Sequence, residues 1–258
     1  MQKELLLFQK LAEKLIKAEK QEPIITPIPP KELFNILPLA LQAQPADDAF
    51  FENALEKLVL NTPRTATNLF FNQLFGGRNP KATLGDLLAV LLNNSMYTYK
   101  VAGPQVGIEK EILRKSCDLI GYGKDADGTF APGGSMSNFM AILMARDAHN
   151  DNIKKEGVLQ KMTAYTSIES HYSTSKNAAF IGIGREQVRY VATNEFGQMD
   201  PKDLSVKIAE DIALGLQPFF VNATAGTTVL GAFDEITPLS NICKQHKLWL
   251  YLCHDLCL

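Results

Sequence analysis

Two glycines and two serines stand together in residues 133–138, which read Gly-Gly-Ser-Met-Ser-Asn and which lie where a loop is expected to enter a helix. Glycine lets the backbone approach an anion closely, and the first turn of a helix offers unpaired N–H groups at the positive end of its dipole. The hydroxyls of Ser135 and Ser137 add two hydrogen-bonding groups. The segment therefore predicts a phosphate site, although a Gly-Gly-Ser helix start that binds nothing is the commoner occurrence of such a motif.

Two further segments carry polar side chains directly after predicted strands. Residues 167–173 read Ser-Ile-Glu-Ser-His-Tyr-Ser, and residues 222–234 read Asn-Ala-Thr-Ala-Gly-Thr-Thr-Val-Leu-Gly-Ala-Phe-Asp. Ligands of parallel sheets gather at the carboxyl ends of strands, so both segments are candidates for binding. Taken alone, His171 is better interpreted as a hydrogen-bonded structural histidine, and only its motif reverses that preference. Thr228 can likewise be interpreted as an ordinary sheet residue.

The elements that must position these segments alternate along the chain. A helix is expected over 135–149, and its apolar residues recur at helical spacing, which predicts that they are core residues: Met136, Phe139, Met140 and Leu143. The expected strands lie near 162–167, 188–192, 219–224 and 248–253, and the helices between them near 171–180, from Asp200-Pro201 onward and over 236–246. Such alternation predicts an α/β fold with a mostly parallel sheet and helices on both faces.

The first hundred residues read as a helical N-terminal segment. Residues 1–20 form a helix rich in Lys and Glu, and residues 22–38 hold five prolines and read as an extended connector. Leucines 84, 87, 88, 91 and 92 mark an amphipathic helix. A further helix is expected over about 106–120, with Ile108, Ile112 and Leu119 facing inward. We therefore expect one segment over 1–100 and a large α/β domain over 101–258.

Composition narrows the class of protein. The 258 residues are 46% hydrophobic, which is enough for a large core. The net charge is −2, so the composition does not suggest the positively charged surface that nucleic-acid binding requires. No stretch approaches the roughly 18 apolar residues that span a bilayer, and the apolar run at 5–8 is too short for a signal peptide. The cysteines show no disulfide framework, which favours a cytoplasmic location: Cys117, Cys243, Cys253 and Cys257.

Together these motifs resemble the group II pyridoxal-phosphate-dependent amino acid decarboxylases. Residues 70–77 (Phe-Phe-Asn-Gln-Leu-Phe-Gly-Gly) and 93–99 (Asn-Asn-Ser-Met-Tyr-Thr-Tyr) are similar to the branch acting on glutamate and cysteine sulfinate. The resemblance runs from about residue 47 to Leu250, and it implies a fold-type-I large domain of which residues 101–258 form part. The Phe-Asn-Gln-Leu and Ala-Gly-Thr-Thr segments speak against other members of the cofactor superfamily, such as an aminotransferase or a desulfurase.

The resemblance implies roles for individual residues. The implied cofactor is pyridoxal 5′-phosphate, and the implied reaction is α-decarboxylation of a small acidic amino acid, glutamate, aspartate or cysteine sulfinate, by a homodimer. The residues implied to bind the cofactor are Ser135, Met136 and Ser137 at its phosphate, His171 stacked on its pyridine ring and Thr228 at its edge. Those implied to bind the substrate are Phe71, Asn72 and Gln73, of which Gln73 contacts the carboxylate.

The sequence departs from the family after residue 250. Where the family reads His-Val-Asp-Ala-Ala-Trp-Gly-Gly, residues 251–258 read Tyr-Leu-Cys-His-Asp-Leu-Cys-Leu, so Cys253 replaces the aspartate that faces the pyridine nitrogen. Asp255 is two residues further along and is not assigned that role. The family's Schiff-base lysine lies in a later Asn-Pro-His-Lys segment, and Lys176 is not its equivalent. We therefore expect a truncated chain that is inactive alone. The alternative is a non-catalytic remnant or a subunit-pairing fragment that binds the cofactor weakly.

Two expectations follow from this departure. Missing strands would leave an unpaired sheet edge and exposed apolar helix faces, and hence poor solubility or dependence on another chain. A second interpretation of the tail, as a metal site, has four possible ligands in residues 253–257, but the spacing lacks a second ligand pair, and we expect no metal.

Overall fold

A computed structural model describes residues 1–37, 43–72 and 75–254. The chain divides into two compact units, Met1–Asn94 and Ser95–Leu258. The first unit contains four described helices: α1 (Gln2–Gln21), α2 (Leu33–Ile36), α3 (Asp48–Asn61) and α4 (Pro80–Leu92). The second contains seven described helices: α5 (Tyr99–Ala102), α6 (Pro104–Ile120), α7 (Gly134–His149), α8 (Ile153–Glu156), α9 (Ser173–Phe180), α10 (Pro201–Ala213) and α11 (Ile236–His246).

In the first unit, α1 packs along α3 and is joined to it by ion pairs. Lys10 and Glu52 lie 3.5 Å apart, and Lys14 and Glu56 lie 2.5 Å apart. The side chain of Asp47 caps the start of α3 by accepting a hydrogen bond from the Phe50 N–H at 2.7 Å. The prediction of a wholly extended connector over 22–38 is wrong at 33–36, where α2 forms a single helical turn, and Pro38 lies outside the described residues.

Apolar residues are exposed on helices of both units. The predicted helix at 84–92 is confirmed as α4, but Leu84, Leu88 and Leu91 are about half exposed. The helix predicted over 106–120 is confirmed as α6, whereas the expected burial of Ile108, Ile112 and Leu119 is wrong. Ile108 is 61% and Leu119 81% exposed, because α6 packs mainly against the adjoining α5 and not under the sheet.

The second unit is built on a four-stranded parallel sheet with the order β2-β1-β3-β4. Its strands are β1 (Met162–Ser167), β2 (Val188–Val191), β3 (Gln217–Thr224) and β4 (Trp249–Cys253). The chain moves from β1 to β2 on one side and then crosses to β3 on the other side of β1. The topological switch point therefore lies between β1 and β3. The predicted α/β fold with a parallel sheet is confirmed.

Side chains alternate between the two faces of this sheet. Ala164 of β1 packs with Ala141 and Ile142 of α7, whereas the next residue, Tyr165, packs with Leu204 of α10 on the other face. The strands are therefore buried on both faces, as parallel strands usually are. Of the predicted core residues of α7, Phe139 and Leu143 pack against this core, but Met136 is 43% exposed because it lies in the first turn of the helix.

An irregularity marks the beginning of β3. Thr163 pairs with Pro218 while the next residue of β1, Ala164, pairs with Phe220, so Phe219 is an extra residue in the ladder. The bulge turns two consecutive aromatic side chains, those of Phe219 and Phe220, into the same core, and both are fully buried.

A buried polar cluster fastens α10 to the sheet. The Tyr165 hydroxyl donates to the Asp211 carboxylate at 2.7 Å, and the Arg189 Nε donates to the same carboxylate at 2.9 Å. Burial raises the pKa of the Tyr165 hydroxyl, which keeps it a hydrogen-bond donor. The predicted start of α10 is confirmed, because Asp200 caps the Lys202 N–H at 2.8 Å and Pro201 takes the first helical position.

We predict that Tyr165→Phe lowers the free energy of unfolding of the chain by about 1–2 kcal/mol, because it removes the shorter of the two hydrogen bonds that a buried Asp211 oxygen accepts, the other coming from the Arg189 Nε at 3.1 Å. The measurement is urea unfolding followed by circular dichroism. The matched control is Tyr190→Phe on β2, where the ring is about half exposed and the change should be negligible. Equal stability of the two variants would contradict this account of the cluster.

Candidate functional site

The segment predicted to bind phosphate forms the start of α7. Helix α7 begins at Gly134 without a side-chain cap, since Gly133 occupies the capping position. The N–H groups of Met136 and Ser137 turn back to the Gly133 carbonyl, at 3.0 and 3.1 Å. Within the described chain, the N–H groups of Gly134 and Ser135 have no acceptor. A Cβ atom built on Gly133 or Gly134 would meet no atom within 4 Å, so the space beside these donors is open.

His171 lies in the turn that follows β1, and its ring is held from one side. Its Nδ1 accepts a hydrogen bond from the Ser173 backbone N–H at 3.2 Å and lies 2.8 Å from the Ser173 hydroxyl. A backbone N–H can only donate, so Nδ1 carries no proton and the ring proton is on Nε2. The Tyr172 ring lies against the imidazole, with centroids 4.2 Å apart and planes tilted by 35°.

Two buried asparagines join the start of α7 to the turn that carries His171. The Asn138 side-chain amide donates to the Ser173 hydroxyl at 2.8 Å. The Asn177 side-chain amide, from α9, donates to the backbone carbonyl of Ser135 at 3.0 Å. The predicted phosphate segment and the predicted stacking histidine are therefore brought together at one end of the sheet.

Hydroxyl contacts place this turn at the switch point of the sheet. The Ser170 hydroxyl lies 2.9 Å from that of Ser167, at the end of β1, and 3.3 Å from that of Thr224, at the end of β3. Thr228 follows in the next turn and is half-buried. Its neighbour Thr227 closes that turn by accepting the Ala232 N–H at 3.1 Å. Open sheets bind ligands at this location.

Comparison with known proteins agrees with this geometry. Residues 30–253 match the family model described as the pyridoxal-dependent decarboxylase conserved domain. The chain belongs to this family. The resemblance inferred from the motifs is thereby confirmed, and the cofactor of the family is pyridoxal phosphate.

Individual relatives in the family are similar over most of this chain. Human cysteine sulfinic acid decarboxylase is 40% identical over 225 residues, which cover 86% of this chain and 45% of the relative. A bovine acidic amino acid decarboxylase is 38% identical over 226 residues, covering 87% of this chain and 43% of the relative. The chain thus spans less than half the length of these relatives.

Solved structures of the family share the fold. The crystal structure of mouse CSAD in its apo form superposes with a TM-score of 0.91 at 36% identity, over 96% of this chain and 54% of that chain. The structure of Oryza sativa TDC with PLP superposes with a TM-score of 0.85 at 20% identity, and this likeness concerns the fold alone.

In the described ranges, no helix combines the length and the apolar character needed to cross a membrane.

Asp234, the last residue of the 222–234 segment, is a structural anchor that the sequence interpretation missed. Its two carboxylate oxygens accept the backbone N–H groups of Thr224 and Met199, both at 2.7 Å. Burial raises the pKa of the Asp234 carboxyl, and the two N–H bonds act in the opposite direction. Asp234 thereby fixes the end of β3, beside the turn that carries Thr228.

The predicted substrate-binding residues belong to the first unit. Phe71 is 90% exposed and Asn72 is exposed, whereas Gln73 lies outside the described residues. Their role in contacting substrate stays a prediction from the family resemblance.

The end of β4 carries the family's most evident departure. Cys253 is buried, and its Sγ lies 3.4 Å from the Asn138 Oδ1, which also accepts the Tyr251 hydroxyl at 2.9 Å.

Lys176 is exposed, with its Nζ 5.8 Å from the centroid of the Phe180 ring. No cluster of three possible metal ligands occurs in the part of the chain that the structure describes, and residues 255–258 lie outside it.

We predict that Asp234→Asn lowers the free energy of unfolding by about 1–3 kcal/mol, because the new amide NH₂ must face a backbone N–H that now has no acceptor. Chemical unfolding of the full chain measures this change. Asp125→Asn is the control, since Asp125 is exposed and its substitution should leave stability unchanged. If the two variants unfold at the same denaturant concentration, Asp234 is not the anchor described.

Proposed function

We propose that this chain forms the cofactor-binding part of a pyridoxal-phosphate-dependent decarboxylase that acts on small acidic amino acids. The observation that carries the proposal is the hydrogen-bonded junction between the start of α7 and the His171 turn, made by Asn138 and Asn177. This junction sets a group of anion-binding donors beside an aromatic ring, as a phosphorylated aromatic cofactor requires. The relatives, which are named as acidic amino acid and cysteine sulfinic acid decarboxylases, support the substrate class.

The phosphate would be held at the start of α7. The Gly134 and Ser135 N–H groups and the hydroxyls of Ser135 and Ser137 are the donors that the geometry offers. The Ser137 hydroxyl is 3.5 Å from the Gly133 carbonyl, a contact weak enough to be exchanged for a ligand oxygen. Met136 would contribute through its position in the first helical turn, where the helix dipole favours an anion.

The pyridine ring would lie against His171. The Tyr172 ring covers part of one face of the imidazole. In the proposed complex, the cofactor stacks on the opposite face of the imidazole, and Thr228 lies at the edge of the cofactor. When bound, pyridoxal phosphate supplies an electron-withdrawing ring that accepts the electrons left behind as carbon dioxide departs. The contribution of these residues is to hold the ring in one plane and one orientation.

Substrate recognition and assembly are assigned by likeness to the family. We propose that Phe71 and Asn72 shape the substrate pocket and that Gln73 donates to the substrate carboxylate. We also propose that the functional form is a cytoplasmic homodimer. The exposed apolar side chains of α4 support an assembly, and the cysteines Cys117 and Cys243, which form no disulfide among the described residues, support a reducing location.

A second candidate function is a non-catalytic chain that binds the cofactor or pairs with another subunit. The observation that favours it is Cys253, whose thiol is engaged by Asn138 where the family has a carboxylate to face the pyridine nitrogen. We therefore propose that these residues alone bind the cofactor without turning over substrate.

Binding can be tested with pyridoxine 5′-phosphate, which lacks the aldehyde and so cannot attach to surface lysines. We expect calorimetry to detect binding by the full chain, and Ser137→Ala to weaken it roughly 3- to 10-fold, the equivalent of one hydrogen bond. Ser205→Ala on α10 is the matched control. His171→Ala should weaken pyridoxine 5′-phosphate but not inorganic phosphate. Failure of the unsubstituted chain to bind the ligand would refute the proposed site.

Catalytic competence is tested separately by the release of labelled carbon dioxide from cysteine sulfinate, aspartate and glutamate. With pyridoxal phosphate added, we expect the 258-residue chain to release carbon dioxide no faster than free cofactor, because Cys253 provides no carboxylate at the pyridine nitrogen. Turnover above that background would contradict the non-catalytic proposal and support the enzyme.

A further inference from the structure

We propose that Asn138 is a positioning residue that fixes the orientation and the tautomer of His171 through the Ser173 hydroxyl. The hydrogen bonds to His171 are argued independently of the proposed function. Only the consequence, that His171 contacts the cofactor, rests on the proposed function. Asn138 itself is 5% exposed and lies one turn into α7, and its amide touches groups from two other elements.

The contacts form an unbroken relay from β4 to the imidazole. The Asn138 Oδ1 accepts the Tyr251 hydroxyl at 2.9 Å, and the Cys253 Sγ lies 3.4 Å from the same oxygen. The Asn138 Nδ2 donates to the Ser173 hydroxyl at 2.8 Å. That hydroxyl in turn lies 2.8 Å from the His171 Nδ1.

The direction of every hydrogen bond in the relay is determined from its His171 end. The His171 Nδ1 accepts the Ser173 backbone N–H, so the hydroxyl beside it must also donate. A hydroxyl that donates its one proton to Nδ1 can only accept from Asn138. The amide of Asn138 must then present its NH₂ to Ser173 and its oxygen to Tyr251 and Cys253.

Burial makes this arrangement costly to change. Ser173 is completely buried and Asn138 nearly so. Turning the amide over would place the Asn138 oxygen against the Ser173 hydroxyl, whose one proton is already given to Nδ1, and would leave that buried hydroxyl without a donor, which is penalised more in a buried site than at the surface. The relay therefore holds Nδ1 as an acceptor and leaves Nε2 as the proton-bearing atom on the opposite edge of the ring.

The relay is tested by two-bond ¹⁵N–¹H correlation spectra of the full chain labelled at histidine, without cofactor. The spectra are recorded about two pH units above the usual imidazole pKa, so that the neutral tautomers dominate. His171→Gln identifies the signals. We expect His171 in the unsubstituted chain to be a single Nε2–H tautomer.

The discriminating variant is Asn138→Asp, which keeps the shape but replaces the donor with an acceptor. The Ser173 hydroxyl should then turn toward the aspartate, so that Nδ1 keeps only the backbone N–H. We expect the tautomer ratio to shift by roughly fivefold, the equivalent of one net hydrogen bond. The control is Asn177→Ala, which removes the other described side-chain hydrogen bond between α7 and α9, from Asn177 to the Ser135 carbonyl. It should leave the His171 signals unchanged.

A folded Asn138→Asp chain with an unchanged His171 tautomer would overturn the proposal. If that variant does not fold, Ser173→Ala decides, because it removes the hydroxyl and keeps the backbone N–H. Its spectrum should change in the same way, and an unchanged spectrum would overturn the relay. Binding of pyridoxine 5′-phosphate is measured independently, so that a confirmed relay without ligand binding refutes the proposed function alone.

Discussion

The parallel pairing of β1 with β3 is the constraint on which the rest of the second unit depends. It brings the carboxyl ends of two strands side by side, although some fifty residues separate them in sequence, and it creates the switch point at which the chain reverses its direction of travel across the sheet. The hydroxyls of Ser170 and Thr224 meet there. The segments at 133–138, 167–173 and 222–234 reach the site because each adjoins one of these strands or the helix packed over them.

Hydrogen bonds from three buried polar side chains then fix the geometry of the site. Asn138 and Asn177 join α7 to α9 and to the turn between β1 and α9, while Asp234 fixes the end of β3 through two backbone N–H groups. These groups are buried, so each contact excludes alternatives more strongly than a surface contact would. These contacts hold together the part of the second unit that is proposed to bind the cofactor.

The sequence was sufficient for the four strands, for helices α1, α4, α6, α7, α9, α10 and α11 and for the family, but not for the short helix α2, for burial or for the partners within the site. Asp200-Pro201 and the apolar strand segments act locally, so α10 and the four strands could be located. Periodicity identified an apolar face on α6, yet it could not say what covers that face, and Ile108, Ile112 and Leu119 are exposed. The predicted burial of Met136 failed in the same way. Asn138 was visible in its motif, but its contact with Ser173, thirty-five positions away, depends on how α7 packs against α9.

The extra residue at the beginning of β3 has an effect at the far end of the strand. Phe219 is the extra residue, and regular pairing resumes with Ala164 opposite Phe220. The register of every later residue of β3 relative to β1 therefore depends on this bulge. If the ladder instead ran evenly through Phe219, with Ala164 opposite it, β3 would be displaced by one position along β1 and its inward and outward side chains would be exchanged. An alanine would then stand where Thr224 meets Ser170. The polar side chains at the binding end of β3 are therefore positioned by an extra residue near the opposite end of the strand.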